Sequence, residues 1–267
     1  MTIPWPFLQH LGKTPTMQMT DNTILITGGT SGIGRALAEA FHDRGNQVIV
    51  TGRRRDLLTE ICDQRPDIVG LHLDLNDSRS IKVAASAVRD RFPDLNVLIA
   101  NAGVSCSEDV TSADWNASAG EDIVETNILG VLRTVAAFLP ILKLQKSATI
   151  MATSSALAFV PRADFPTYCA SKAFLHTWLI SLRHQLRNMP VDVLELSPPY
   201  VQTELTGHAQ ASDPRAMPLA AYVQAVMEML EKGQHPRGEL LLQRDEPRRF
   251  AERDGTFDDL FAAMNPA

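Results

Sequence analysis

The chain of 267 residues is 45% hydrophobic and 21% charged, a balance that suits a soluble globular domain with one large core. A net charge of -6 leaves no electrostatic footprint for nucleic acid or an anionic membrane, so neither is an expected partner. Three cysteines, Cys62, Cys106 and Cys169, are too few and too scattered for a disulfide framework or a paired zinc site, which points to a reducing, cytoplasmic home and no metal.

Residues 1–20 carry a single lysine and are interrupted by Pro4, Pro6 and Pro15. They therefore lack the charged start and continuous apolar run of a secretion signal. Either Trp5, Phe7 and Leu8 pack on the body, or the stretch is an N-terminal leader ahead of a start at Met17 or Met19; we read it as a leader before one domain, 21–267. No run approaches the roughly 18 apolar residues that a membrane span requires.

From residue 23 short β-branched runs alternate with helical patterns, which predicts an α/β fold: a Rossmann-type, doubly wound, seven-stranded, mostly parallel sheet with helices on both faces. The predicted strands are 23–27, 47–51, 68–73, 97–100, 148–153, 191–197 and 239–243. Helical spacing marks 34–44, 78–92, 122–144 and 165–187.

The first strand runs into Thr27-Gly28-Gly29-Thr30-Ser31-Gly32-Ile33-Gly34 and then a helix. Its glycines permit a tight turn and close approach of backbone to phosphate, and the helix N-terminus favours a pyrophosphate, so this is a dinucleotide site. After the second strand, where an acidic side chain would accept from the adenosine ribose, the chain reads Thr51-Gly52-Arg53-Arg54-Arg55. A carboxylate there would repel a 2′-phosphate, whereas Arg53 can bind one, so NADP(H) is favoured over NAD(H). The bland alternative, a solvated helix start, fits Arg55 and extends to Arg54.

Leu73-Asp74-Leu75 ends the third strand, where Asp74 either meets the adenine amino group or caps the next helix. Asn101-Ala102-Gly103 closes the fourth, where small residues let the chain pass close to a cofactor ribose, or simply make a turn. Asn127 sits inside a strongly helical segment despite its poor helix propensity. Ser155 follows the fifth strand, and Tyr168 and Lys172 stand at i and i+4 of the next helix, able to face one bound molecule. His176 and His184 on that helix read as surface or interface residues. Residues 203–218, small, polar and bracketed by proline, read as a mobile loop or substrate-covering lid. The tail, with Phe250, Phe257, Leu260, Phe261 and Met264, reads as an amphipathic final helix.

With these pieces in order, the chain from Asp21 to about Gln243 resembles the short-chain dehydrogenase/reductase family. The resemblance rests on Thr-Gly-x-x-x-Gly-x-Gly at Thr27–Gly34, Asn-Ala-Gly at Asn101–Gly103, Asn127, Ser155 and Tyr-x-x-x-Lys at Tyr168–Lys172. Further stretches, such as Leu157-Ala158-Phe159-Val160-Pro161, look closer to a subgroup named for D-alanine esterification of teichoic acids, a label that does not establish a substrate. The resemblance implies hydride transfer between a nicotinamide and a small-molecule carbonyl or secondary alcohol. Tyr168 would be the acid/base, favoured as phenolate by Lys172; Ser155 would hold the substrate oxygen, and Asn127 a relaying water. Val201 and Thr203 carry over as carboxamide contacts beside Pro198, and a homodimer or homotetramer is implied. Pro199 stands where the family usually has glycine, which stiffens that path. A catalytically idle dinucleotide-binding sensor or structural protein, or an NAD(H)-preferring dehydrogenase, is the alternative reading. A methyltransferase or an enoyl reductase variant fits the Tyr-Lys pair and its spacing less well.

Overall fold

The computed structural model describes residues 17–266. Among them, seven strands, β1 (Thr23–Thr27), β2 (Gln47–Gly52), β3 (Val69–His72), β4 (Leu95–Ala100), β5 (Ala148–Thr153), β6 (Val191–Ser197) and β7 (Glu239–Leu241), form one sheet in the order β3-β2-β1-β4-β5-β6-β7. All six pairings are parallel, with no antiparallel edge. Ile24, Leu25 and Ile26 are wholly buried, as a strand covered on both faces must be.

The helices are α1 (Gly32–His42), α2 (Arg55–Gln64), α3 (Ser78–Arg91), α4 (Ser118–Val124), α5 (Val131–Leu142), α6 (Pro166–Leu186), α7 (His208–Ala211), α8 (Leu219–Glu231), α9 (Glu246–Arg249), α10 (Ala251–Asp254) and α11 (Phe257–Met264). Leu37 and Phe41 of α1, Ile61 of α2 and Tyr222 and Val226 of α8 pack on one face of the sheet. Val88 of α3, Val135 and Phe138 of α5 and Leu175 and Leu179 of α6 fill the other. Strand order reverses between β1 and β4, so the crossovers diverge there and open a crevice at the strand carboxyl ends.

A π-helical segment, Glu125–Gly130, joins α4 to α5 in one continuous helix. Among the described residues, this helix, Ser118–Leu142, is the one long and apolar enough by length and composition to cross a membrane. Its apolar side chains instead pack on the sheet: Val131, Val135, Phe138, Ile141 and Leu142 all belong to the core.

Most of the expected leader lies outside the described residues, but its last part does not stand apart. Met17 is buried in the core beneath α1 and α8, and Asn46 Nδ2 donates to the Met19 carbonyl at 2.9 Å. The tail departs from one amphipathic helix: Gly255, at φ +69°, separates α10 from α11. A left-handed residue cannot continue a right-handed helix, so the apolar face turns away at that point. Residues 203–218 are linked by hydrogen bonds of their own. Gln210, buried on α7, accepts from Thr206 N–H and Oγ1–H at 2.9 and 2.7 Å and donates to Val201 O and Thr203 Oγ1 at 2.8 and 3.1 Å. A bridge between Val201 and Met217 closes the segment at its base.

Candidate active site

A cleft of about 920 Å³ opens at the β1/β4 switch point, lined by the glycine turn, the β2 and β4 ends, Tyr168, Lys172 and the α7 segment. Gly28 adopts φ +65° and Gly32 φ +54°, conformations that a side chain disfavours. A Cβ on Gly28 would lie 2.8 Å from Ala102 Cα. Ser31 precedes α1 without a side-chain cap on the helix. The first-turn N–H groups of an eleven-residue helix thus face the cleft free of a capping oxygen, a ready seat for a phosphate. Donor set and shape both fit a dinucleotide.

Gly34 plays a different part from its neighbours. A Cβ there would meet the Gly28 carbonyl at 2.3 Å and Asn101 Nδ2 at 2.4 Å, so Gly34 serves the packing of α1 on the strand ends and does not line the cleft. Asn101 is likewise a brace. Its Nδ2 donates to the carbonyls of Thr27 and Gly28 at 3.2 and 3.4 Å, and Thr153 Oγ1 donates to its Oδ1 at 3.3 Å. Ala102 and Gly103 line the cleft beside it; a Cβ on Gly103 would stand 3.4 Å from Lys172 Nζ.

Gly52, Arg53 and Arg54 border the far end of the cleft with Thr30, Ser31, Asp74 and Leu75. Arg54 Nη2 donates to Ser31 Oγ at 3.0 Å, so the exposed Arg54 side chain reaches back to the phosphate turn, while Arg55 begins α2. Asp77, and not Asp74, caps α3, accepting from Arg79 N–H at 2.8 Å. Asp74 instead closes an Asx turn by accepting from Asn76 N–H at 3.0 Å.

The chemistry end is built by β5 and α6. Lys172 Nζ donates to Thr153 O at 2.8 Å, and the Tyr168 phenol lies close enough to Ser155 for that hydroxyl to favour its ionised form. Ser155 Oγ also accepts from Leu157 N–H at 3.1 Å, capping a short turn beyond β5. Asn127, wholly buried in the π-helical segment, uses both amide donors and one acceptor position. Its Oδ1 accepts from Val104 N–H at 2.9 Å, and its Nδ2 donates to Val104 O and Ser171 Oγ at 3.0 and 3.1 Å. Its side chain therefore clamps the β4 loop to α6. A π-turn is a recurrent mark of a functional site.

Burial dominates the electrostatics. The Tyr168 phenol is pushed up to about 12, with the Ser155 hydrogen bond opposing, and the Lys172 ammonium is pulled down to about 8. Burial thus outweighs any help that Lys172 gives the phenolate in the chain alone. Both groups lose hydration, and desolvation disfavours each charged form.

Thr203 and Pro198 line the cleft as expected, whereas Val201 is buried beneath it in the core. Pro198 O accepts from Ala156 N–H at 3.0 Å. Ser105 lines the cleft, within the 104–111 stretch expected to form the pocket, and sequence reasoning passed over Asn76, Thr126 and Gln202, which line it too. The Ser105 hydroxyl is buried there without a hydrogen-bond partner. His176 was misplaced as a surface residue. Its ring packs edge-on to Phe159 at 5.0 Å and its Nδ1 lies 2.8 Å from buried Glu195; its i+4 spacing from Lys172 was the available signal. His184 is exposed, as read.

The comparisons with known proteins agree with this geometry. The family model described as "short chain dehydrogenase" matches residues 22–214. The chain is 37% identical over 252 residues to an uncharacterized oxidoreductase, DltE, of Bacillus subtilis, covering 93% of this chain and 98% of that protein. It is 33% identical over 201 residues to a serine 3-dehydrogenase of Rhizobium radiobacter, covering 72% and 78%. Among solved structures, a short chain dehydrogenase from Burkholderia cenocepacia in complex with NADP superposes with a TM-score of 0.78 at 27% identity, covering 93% of this chain and 99% of that one. An NAD complex of a Burkholderia phymatum protein shares the fold, with a TM-score of 0.77 at 21% identity and coverage of 94% and 98%.

Proposed function

This chain belongs to the short chain dehydrogenase family, and we propose that within it the protein is an NADP(H)-dependent oxidoreductase acting on a small-molecule carbonyl or secondary alcohol. The observation that carries the reading is that Tyr168 and Lys172 line the inner end of the cleft that the glycine turn opens, with Ser155 beside the phenol.

Gly28, Gly32 and the α1 N-terminus would hold the pyrophosphate, and Arg53 and Arg54 the 2′-phosphate, with Ser31 steering Arg54 toward it. The dinucleotide, when bound, supplies the redox chemistry and a positive charge beside the phenol in its oxidised form. Lys172, held by Thr153 O, keeps two further donor positions for ribose hydroxyls. Ser155 Oγ orients the substrate oxygen, and Tyr168 Oη gives up or takes the proton there. Val104, Leu205 and Ala211 also line the cleft. Unpaired cysteines suit a reducing compartment, and by family resemblance the assembly is a homodimer or homotetramer.

A screen of NADPH consumption over aldehydes, ketones and quinones, run beside NADP⁺ reduction by the matching alcohols, tests the reading. Turnover that disappears in Tyr168→Phe supports it. A protein that binds NADPH yet turns over no member of either panel would overturn it in favour of a dinucleotide sensor.

A further inference from the structure

Tyr168, Lys172 and His176 follow one another at four-residue steps on α6, and each engages one of three consecutive residues at the end of β5. Tyr168 meets Ser155 and Lys172 meets Thr153 O. His176 meets Ser154 through Glu195: its Nδ1 lies 2.8 and 3.1 Å from the two Glu195 oxygens, and Ser154 Oγ donates to Glu195 Oε1 at 2.5 Å. Ser197 Oγ adds a further bond to the same oxygen at 3.2 Å. A carboxylate only accepts, so Nδ1 carries the proton that His176 donates.

This rung is costly to build. Glu195 is wholly buried on the α6 face of β6, the face it shares with Val191 and Val193 of the core. It stands in register with Glu239 on β7, a second buried acid. Like charges side by side on neighbouring strands repel, and an apolar residue would fill the place more cheaply. Glu239 is answered by Arg249 at 2.9 and 3.0 Å and by Arg237, and Arg183 lies close enough to feel both acids. Ligand atoms of His176, Glu195 and Glu239 come within 4.8 Å of one another, but guanidinium donors occupy Glu239 and hydroxyls and imidazole occupy Glu195. The cluster closes on itself rather than on a cation.

We propose that His176 is a positioning residue: through Glu195 it fixes Ser154, and with it the backbone turn that presents Ser155 to Tyr168. Ser154 N–H and Ala156 N–H, on either side of Ser155, donate to Leu196 O and Pro198 O at 2.8 and 3.0 Å. The side-chain rung adds the rotational constraint that those two bonds lack. Phe159, against the His176 ring, carries the same constraint into the segment after Ser155. Only the activity arm of the test rests on the oxidoreductase reading.

The test compares full-length His176→Asn, His176→Gln and Ser154→Ala. Asparagine places its amide nitrogen where Nδ1 stood, whereas glutamine, closer to histidine in volume, places it one bond farther. Hydrogen exchange of the 153–158 backbone should quicken at least threefold in His176→Gln and Ser154→Ala and stay near wild type in His176→Asn. Where a carbonyl substrate is turned over, kcat should fall about tenfold in the first two with KM for NADPH within twofold, since small misplacements at a reacting centre are that costly. Equal exchange in the asparagine and glutamine variants, or wild-type exchange in Ser154→Ala, overturns the proposal. Absence of turnover in wild type sinks the oxidoreductase reading while the exchange data still decide this one.

Discussion

Lys172 Nζ is bound to the carbonyl oxygen of Thr153 across 2.8 Å in a fully buried setting. One donor of the ammonium is thereby fixed to the sheet, and the group's direction is set by β5 rather than by solvent. Its burial also makes stability depend on pH. With its pKa lowered from 10.5 to about 8, Lys172 holds fewer protons in the folded chain than in the unfolded one across that window, so stability rises as pH climbs from about 8 to 10.5. Lys172→Met should erase roughly 3 kcal/mol of that rise, read from urea unfolding of both proteins near pH 7 and pH 10. Parallel pH dependences in the two would disprove the burial argument.

Tyr168 acts in the opposite sense. Its phenol, raised from 10.0 to about 12, stays protonated in the folded chain where the unfolded chain has lost the proton, so its contribution falls away above pH 10. Near neutrality the phenol is a proton donor. Tyr168→Phe should lower turnover by about 10²–10⁴-fold and change NADPH affinity by less than about threefold, as measured by steady-state kinetics and fluorescence titration. Turnover within a factor of ten of wild type removes Tyr168 from the mechanism.

Arg53 and Arg54 border the same end of the cleft, and Arg54 is tethered to Ser31. If they read a 2′-phosphate, alanine at either position should weaken NADPH by about tenfold or more, the worth of a charged hydrogen bond. NADH binding should barely move. Calorimetric titration of both dinucleotides would expose the error if the two affinities fell together.

Gly34 has no room for a methyl group, with the Gly28 carbonyl 2.3 Å from the place a Cβ would take. Gly34→Ala should cost at least about 1–3 kcal/mol through overpacking and displace the phosphate turn. A lowered Tm together with weakened NADPH binding is the expected pair of results; an unchanged Tm would mean the turn relaxes freely.

Gln210 knots the segment beside the cleft, bonded to Val201, Thr203 and Thr206. Gln210→Ala leaves the Val201 carbonyl without that donor and should cost about 1–3 kcal/mol. Proteolytic nicking within 203–218 and NADPH dissociation in stopped-flow should both quicken. Wild-type nicking in the variant would show that the bridge at Met217 suffices to hold the segment.

Local signals carried the fold. β1, β5 and β6 lie where the β-branched runs begin and end, and the glycine turn follows β1 into α1. Features with no local signature were not legible. Gly255, left-handed, sets Phe250 apart from the final helix, and the hydrogen bonds that Gln210 makes within 203–218 have no periodicity to announce them. The arginines after β2 stand out in the sequence, but the reach of Arg54 to Ser31 joins two loops distant in sequence.

The order of the glycine turn, Asn101-Ala102-Gly103, Ser155 and Tyr168 with Lys172 was enough by itself to determine the family and the α/β architecture. Strand periodicity, turn chemistry and helix spacing are properties of neighbouring residues, and neighbours are what a sequence displays. Only the tertiary structure decided which groups share a desolvated space. It turned His176 inward onto Glu195, made Asn127 a clamp, and buried Tyr168 and Lys172 so that loss of hydration opposes the charged form of each. Those outcomes depend on water excluded by segments far apart in the chain, and no local pattern encodes that exclusion.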